Sequence, residues 1–268
     1  CNPVSLAGVN EYGIMAVDAD GKIMNFVEKP ESQEDVKNLT VNIDNKDVFL
    51  ASMGIYLFEK EALIEALKAS RKVDFGKEII PGTYRNKLTY AFIYKGYWKD
   101  IGTLKSFHEA NLMLTDPLPR LDIFDEHWPF FTRSRNLPPS KITESRITSS
   151  MVSDGCIIDR AHIQHSVIGI RGRIERDSKV EDSVILGCDF YESLDIIKQN
   201  EKNGIPSMGI GKNSHIKNAI VDKNARIGNN VKIINKKGLK EYEDKNIIIR
   251  DGVIVVGKNA LIEDGTVI

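Results

Sequence analysis

Branched aliphatic residues recur about every six positions through the last half of the chain, and this spacing constrains the fold most. An α-helix would place successive apolar residues of this period on opposite faces, so it could not bury them together. In a parallel β-helix, each six-residue repeat forms one flat side of the coil and its aliphatic side chain fills the interior. We therefore predict a left-handed parallel β-helix over residues 140–268, with polar loops at 189–207 and 236–251. The residues predicted to fill the coil are Ile157, Ile163, Ile168, Ile174, Val180, Ile210, Ile216, Ile227, Ile233, Val256, Ile262 and Ile268.

A proline-rich segment precedes this region. Residues 116–139 contain Pro117, Pro119, Pro129, Pro138 and Pro139, more than half of the nine prolines in the chain. Proline lacks a backbone N–H and interrupts regular structure, so we interpret the segment as a linker. Its four aromatic residues are expected to pack on a neighbouring surface; they are Phe124, Trp128, Phe130 and Phe131.

The first 115 residues alternate strand and helix signals. Two short apolar runs at 14–17 and 22–27 flank an Asp-Gly step, which is typical of a tight hairpin. An almost continuous apolar run at 48–58 predicts a strand buried on both faces, and residues 59–69 have helical spacing. We predict an α/β domain at 1–115 with a largely parallel sheet.

The same alternation is expected to continue towards the linker. It runs through residues 76–85, 88–94 and 97–101, after which Thr103 can cap a helix that ends at Leu114. The patterns therefore predict a mixed α/β sheet followed by a parallel β-helix.

Composition excludes several classes of partner. The formal net charge of −1 lacks the basic excess that a nucleic-acid binder uses to neutralise phosphates. No apolar run reaches the roughly 18 residues of a membrane span, so we expect no membrane partner. The three cysteines are widely spaced and form no metal-binding motif, which favours a reducing compartment.

Four short clusters could carry chemistry, although each has a simpler interpretation. The residues Glu11, Tyr12 and Gly13 open the first strand and say little by themselves. Glu28 and Lys29 precede a proline at the end of a strand, where a solvated strand end is the ordinary explanation. Ser52 and Gly54 interrupt an apolar run, which can serve a neighbouring group or a ligand. Asp100 comes just before a predicted helix and could bind a metal or cap that helix.

Taken together, these clusters resemble those of the ADP-glucose pyrophosphorylase family, also called glucose-1-phosphate adenylyltransferases. The resemblance covers essentially the whole chain, and its end looks more like the cyanobacterial and plant type than the enteric bacterial type. It implies a partial nucleotidyltransferase-type mixed α/β sheet followed by a left-handed parallel β-helix. It rests on the following motifs: FVEKP at 26–30, ASMGIY at 51–56, DFGKEIIP at 74–81, GYWKDIGT at 96–103, LPPSK at 137–141, and the hexapeptide repeats.

The resemblance implies a reaction and a set of residues. Glucose 1-phosphate would attack the α-phosphorus of ATP with Mg²⁺, giving ADP-glucose and pyrophosphate for glycogen or starch synthesis. It implies that Lys29 holds the sugar phosphate, that Glu28 and Ser52 bind sugar hydroxyls, and that Asp100 helps to hold Mg²⁺. Tyr12 and Gly13, which open the first strand, are further expected substrate-binding residues.

The glycine-rich ATP loop and the second metal-binding aspartate of the family are expected to lie before Cys1. The chain begins without Met, so we expect it to be the C-terminal part of a longer protein. The 268-residue chain alone is then expected to be inactive, while the full-length protein turns over.

The resemblance also implies an anionic allosteric effector and a homo- or heterotetramer. The family's basic effector positions match Arg135, Lys223 and Lys258, with Arg133 as a further candidate. His162 and His165 lie in repeats of the β-helix, where some acyltransferases place a histidine, but we interpret them as structural. The expected location is the bacterial cytoplasm, or a plastid if the source is a plant or alga.

Two alternatives remain open at this point. The chain could be a non-catalytic regulatory subunit of the same heterotetramer, although Lys29, Ser52 and Asp100 are all present. It could also belong to a pyrophosphorylase for another nucleotide sugar, because the half that selects the base is expected upstream.

Overall fold

The computed structural model describes residues 1–69 and 74–268 and divides into two compact units. The first unit is Cys1–Trp98 and the second is Lys99–Ile268. Among the described residues, no helix is long and apolar enough to cross a membrane. The predicted domain limits at 115 and 140 stay a prediction.

An antiparallel sheet forms the centre of the first unit. In chain order its strands are β1 Asn2–Val4, β2 Gly13–Val17, β3 Ile23–Glu28, β4 Thr40–Ile43 and β5 Lys46–Ala51. The order in space is β1-β5-β2-β3, with β4 also paired to β5. The hairpin predicted around the Asp-Gly step is confirmed by the pairing of β2 with β3.

The prediction of a largely parallel sheet is wrong for the described strands, because every pairing in this unit is antiparallel. Two short connections explain two of these pairings. The link between β2 and β3 and the link between β4 and β5 are tight turns, and Asp44 and Asn45 adopt positive φ in the second. Tight turns join only antiparallel neighbours, whereas a parallel pair needs a long crossover.

The predicted strand at 48–58 is correct only in its first half. Strand β5 ends at Ala51, and Ile55 and Leu57 beyond it are exposed. The Ser52 hydroxyl accepts a hydrogen bond from Gly54 N at 3.3 Å, and Gly54 adopts a φ of +70°. This local turn takes the chain out of the sheet, which the apolar run did not reveal.

Short helices complete the first unit. They are 3₁₀ helices at Leu6–Glu11 and Gln33–Val36, α1 at Lys60–Ala69, and a π-helical turn at Phe75–Ile79 that continues as α2 at Ile80–Thr83. The expected strand at 88–94 is reduced to one bridge between Tyr90 and Lys22. No strand forms at 97–101 within the described structure.

The second unit begins with α3, Leu104–Met113. The predicted cap is confirmed, since the Thr103 hydroxyl accepts a hydrogen bond from Ser106 N at 3.1 Å. Leu112 of this helix packs against Val184, Ile220 and Val253 of the β-helix.

The proline-rich segment that follows α3 contains neither helix nor strand, as predicted. The expectation that its aromatic side chains pack is wrong in this structure, because Phe124, Trp128 and Phe131 are more than three-quarters exposed (78%, 77% and 94%).

A β-helix of three sheets fills residues 141–262, all of which the structure describes. Neighbouring coils pair in parallel, as in Ile163 with Val180 and then Ile216. The first sheet has strands Arg146–Thr148, His162–Gln164, Lys179–Glu181, His215–Lys217 and Lys232–Ile233. The second has Met151–Val152, Val167–Ile168, Val184–Ile185, Ala219–Val221 and Val253–Val256, extended by the antiparallel strands Ile247–Arg250 and Glu241–Glu243. The third has Lys141–Thr143, Ile157–Asp159, Arg173–Ile174, Gly209–Ile210, Arg226–Ile227 and Leu261–Ile262.

The aliphatic residues of the repeats form the buried core of the coil. Two predictions need correction. Ile157 is exposed, and its neighbour Ile158 is buried and pairs with Ile174 of the next coil. Strand residues alternate between faces, so this shift of one position exchanges the inner and outer side chains. Ile268 is only half-buried at the end of the coil.

Both predicted interruptions leave the regular coil. The first contains α4, Leu194–Lys202, and the second contains the antiparallel strand Ile247–Arg250. The second is therefore not a simple polar loop, because Ile247 and Ile249 are buried in the core.

Candidate functional site

All five of the predicted substrate residues meet at one end of the sheet in the first unit. Glu28 is paired with Gly13 across strands β3 and β2. The Tyr12 carbonyl accepts a hydrogen bond from Lys29 N at 3.0 Å, and the Gly13 carbonyl accepts one from Ser52 N at 2.7 Å. Two consecutive carbonyl groups thus fix the backbone of Lys29 and of Ser52 beside each other.

Lys29 has an unfavourable backbone conformation. Its φ is +44°, in the left-handed region where an L-residue costs about 1–2 kcal/mol, and Pro30 after it is buried. Strained residues of this kind occur often at ligand sites. The side chain is exposed, and the ammonium forms no ion pair closer than 4 Å with a carboxylate in the described part of the chain. It is a positive charge that is available to a ligand.

Two glycines make room for the Glu28 carboxylate. A Cβ atom on Gly13 would lie 2.5 Å from Glu28 Oε2, and one on Gly76 would lie 3.1 Å from the carboxyl carbon. Either addition would push the carboxylate from its position. Gly76 was not predicted as a site residue, although it lies within the DFGKEIIP motif.

The pKa of Glu28 is raised, chiefly because burial removes water from the carboxylate. The nearby Lys29 ammonium acts against this rise, the Asp74 carboxylate adds to it, and the Lys77 ammonium also lowers the pKa. Asp74 and Lys77 therefore belong to the electrostatic surroundings of Glu28. Neither was predicted as a site residue, because both follow the strand by more than forty positions.

Aromatic residues surround the remaining predicted groups. The Ser52 hydroxyl lies 3.2 Å from the Tyr56 hydroxyl, and the Tyr56 ring stacks on Phe75 with centroids 6.1 Å apart. The Tyr12 ring packs on Trp98 at 5.3 Å between centroids. Aromatic rings with polar tips, such as those of Tyr12 and Tyr56, suit a sugar, which presents apolar C–H faces and hydroxyl edges. Tyr56 and Trp98 lie in the motifs but were not singled out.

Asp100 lies near the start of the second unit and is exposed. The possibility that it caps α3 is excluded by the structure, since Thr103 is the cap. One carboxylate oxygen accepts a hydrogen bond from Gly102 N at 3.2 Å. The described residues contain no group of three or more side chains that could hold a metal ion. A single free carboxylate oxygen still fits Mg²⁺, which is usually bound by one or two carboxylates together with substrate phosphates and water.

Two predicted effector residues converge on one carboxylate in the β-helix. Lys223 Nζ lies 2.9 Å and Lys258 Nζ lies 3.3 Å from oxygens of Asp189. Hydrogen bonds from Lys223, from the Asn224 amide and from Lys258 lower the pKa of Asp189 to about 2. The Arg135 guanidinium donates to the Arg133 carbonyl at 3.0 Å instead, in the exposed linker.

The two histidines considered for acyl transfer lie on the β-helix. His165 Nδ1 lies 2.8 Å from the carboxylate of Asp182, and His162 is half-buried in a strand of the first sheet. Their interpretation as structural residues stays a prediction.

Comparison with family models divides the chain in the same order as the fold. Residues 1–117 match the model for nucleotidyl transferase, and residues 135–267 match the model for the GLGC left-handed parallel β-helix domain. The chain thus has the fold of a nucleotidyl transferase domain followed by a left-handed β-helix. This confirms the predicted fold class. Together the two matches support a sugar-phosphate nucleotidyltransferase of the ADP-glucose pyrophosphorylase kind.

Proposed function

We propose that this sugar-phosphate nucleotidyltransferase is a glucose-1-phosphate adenylyltransferase of the cyanobacterial or plant type. It makes ADP-glucose and pyrophosphate for glycogen or starch synthesis, in the bacterial cytoplasm or in a plastid. The observation that supports this most is the presence of a nucleotidyl transferase domain and a GLGC-type β-helix in one chain. The proposal places the ATP-binding loop outside these 268 residues, so turnover is to be measured on the full-length protein.

The chemistry requires positive charge more than a base. The attacking phosphate oxygen of glucose 1-phosphate is already ionised at neutral pH, so the barrier lies in bringing two polyanions together in line. Lys29 offers an exposed ammonium without an ion pair of its own among the described residues. Its role is to hold the sugar phosphate and to reduce the repulsion between the two phosphates.

The neighbouring polar groups orient the sugar. Glu28 and Ser52 bind sugar hydroxyls, and their backbones are fixed to Gly13 of the same strand. The Tyr12 ring, held against Trp98, closes one side of this sugar site. Fixed positions of this kind lower the entropic cost of reaching the reactive geometry.

Asp100 is the proposed ligand for Mg²⁺. When bound, Mg²⁺ neutralises phosphate charge as a Lewis acid. The carboxylate of Asp100 is exposed and has an oxygen that is free to coordinate, and Gly102 N orients the other oxygen.

We also propose that an anionic effector binds the β-helix unit through Lys223 and Lys258, with Arg133 and Arg135 as further contacts. The approach of both lysines to one carboxylate supports the first pair, because two ammonium groups that contact the same anionic group suit a phosphate. The active assembly is proposed to be a tetramer.

The nucleotide preference tests the proposal directly. Full-length protein is incubated with α-glucose 1-phosphate, Mg²⁺ and one of ATP, UTP, GTP, CTP or dTTP, and pyrophosphate release is measured. We expect release with ATP at least about a hundredfold faster than with the other nucleotides, because mismatched polar groups in a nucleotide site carry a large penalty. A preference for UTP or dTTP would assign the chain to another nucleotide sugar. Absence of turnover with every nucleotide would favour a regulatory subunit.

A further inference from the structure

The carboxylate of Asp189 occupies the place between the two proposed effector lysines. Its Oδ1 accepts a hydrogen bond from Lys223 Nζ at 2.9 Å, and its Oδ2 lies 3.3 Å from Lys258 Nζ. The Asn224 amide donates to Oδ2 at 3.1 Å. A carboxylate that gathers two ammonium groups and an amide has the contacts of a bound anion, yet it is part of the chain.

The contact is open to solvent. The side chain of Asp189 is 37% exposed, that of Lys223 is 34% exposed, and that of Lys258 is 52% exposed. Ion pairs at this degree of exposure are weak and exchange readily with dissolved ions. An external anion can therefore reach both lysines.

The segment after Asp189 is anchored without it. The carboxylate of Glu192, whose side chain is only 4% exposed, pairs with Arg226 at 2.7 Å and accepts a hydrogen bond from Met208 N at 2.7 Å. The Tyr191 hydroxyl donates to the Gly155 carbonyl at 2.8 Å. Loss of the Asp189 contacts would thus free the start of the excursion at residues 189–207 and leave its anchor in place.

We propose that Asp189 is a built-in competitor for the anion site at Lys223 and Lys258, and that a phosphate group binds there by displacing it. The inference rests on the proposed effector role of the two lysines. A phosphate dianion satisfies both ammonium groups, whereas Asp189 supplies one negative charge, so the exchange favours phosphate over singly charged anions. Repulsion between the two anions then moves Asp189 and the start of the excursion away from the site.

Asp189→Asn tests the competition, because asparagine keeps the shape and removes the charge. Binding of inorganic phosphate to the full-length protein is measured by calorimetry, and the relevant component is the one removed in Lys223→Ala and in Lys258→Ala. We expect the dissociation constant of this component to fall about three- to tenfold in Asp189→Asn, which is the effect of releasing two exposed ion pairs. Asp195→Asn is the matched control, since Asp195 lies on the same excursion and contributes none of these contacts. It should leave the constant unchanged.

The outcomes separate the two proposals. If neither lysine substitution removes a phosphate-binding component, the effector site itself is wrong. If both remove it and Asp189→Asn leaves the affinity unchanged or weaker, the competition is overturned and the effector site stands. An equal gain in phosphate affinity in Asp195→Asn would also overturn the competition, because the effect would then come from the overall charge of the excursion.

A measurement on the unchanged protein covers the case in which the variant does not fold. Hydrogen exchange is followed with and without saturating phosphate. We expect faster exchange with phosphate at the Asp189 amide, which donates to Asn224 Oδ1 at 2.8 Å, and no change around Glu192 and Met208. Unchanged or slower exchange at the Asp189 amide would overturn the displacement of Asp189.

Discussion

The two regions of this chain hold their proposed anion-binding lysines in opposite ways. In the transferase unit, Lys29 has a strained backbone and an exposed ammonium without an ion pair among the described residues. In the β-helix, Lys223 and Lys258 already contact the carboxylate of Asp189. The first site is ready for its ligand, whereas the second must exchange one anion for another.

The difference suits the different tasks of the two sites. A substrate site gains from a cation that no competing group neutralises, because all of its attraction is then available to the reacting phosphate. A regulatory site gains from a weaker and exchangeable contact, because an effector acts only through its different affinity for two states. The comparison implies that catalysis and regulation can be changed separately.

Asp100→Asn tests whether a residue of the second unit takes part in the chemistry, and it has the largest expected effect. Asp100 lies in the second unit but is assigned to the chemistry. Loss of its charge should reduce turnover of the full-length protein about a hundredfold or more, since it removes electrostatic stabilisation of the transition state. Binding of glucose 1-phosphate without Mg²⁺ should be unchanged. Asp116→Asn, an exposed aspartate after α3, is the control, and a normal rate in Asp100→Asn would remove Asp100 from the metal site.

Ser52→Ala tests the proposed sugar contact in the transferase unit and has a smaller expected effect. The substitution removes one hydroxyl that is proposed to bind the sugar, so the apparent affinity for glucose 1-phosphate should fall about two- to tenfold. Activation by the effector should not change. Ser5→Ala is the control, because Ser5 is exposed and its hydroxyl caps no helix. An unchanged affinity would show that Ser52 serves only the turn with Gly54.

Glu28→Gln has the smallest expected effect and concerns stability. Burial raises the pKa of Glu28 in the folded chain, so the group contributes most to stability when protonated and loses that contribution as the pH rises through its folded-state pKa. At pH 7 to 8 the variant should unfold at a higher urea concentration than the unchanged protein, although it binds the sugar phosphate less well. The gain should disappear at a pH below the ordinary carboxyl range. Glu31→Gln, an exposed neighbour, should show no gain, and a less stable Glu28→Gln would contradict a destabilising effect of partial burial on the Glu28 carboxylate.

Much of the β-helix could be predicted from sequence because its order is local. Each coil repeats the same short pattern, so the spacing of Ile163, Ile168 and Ile174 is sufficient to define the fold. The error at Ile157 arose where two isoleucines are adjacent and the pattern permits either register. Strand pairing with Ile174 decides between them, and pairing is not visible in one repeat.

The transferase unit was harder to predict because its contacts are distant in sequence. Lys29 and Ser52 were identified through motifs, but Asp74 and Trp98 approach Glu28 and Tyr12 only after folding. The role of Asp189 was not predicted for the same reason, because its lysine partners lie 34 and 69 positions later in the sequence (223 − 189 and 258 − 189).

Titration of glucose 1-phosphate into three variants tests whether Lys29 holds the hexose phosphate and the β-helix lysines do not. Glucose 1-phosphate is titrated into full-length Lys29→Gln, Lys223→Ala/Lys258→Ala and Lys46→Gln, an exposed lysine of β5 that serves as the control. We expect affinity to fall about thirtyfold or more in Lys29→Gln, the loss of a charge-assisted contact, and to remain unchanged in the other two. Normal affinity in Lys29→Gln, or an equal loss in the double variant, would contradict the account.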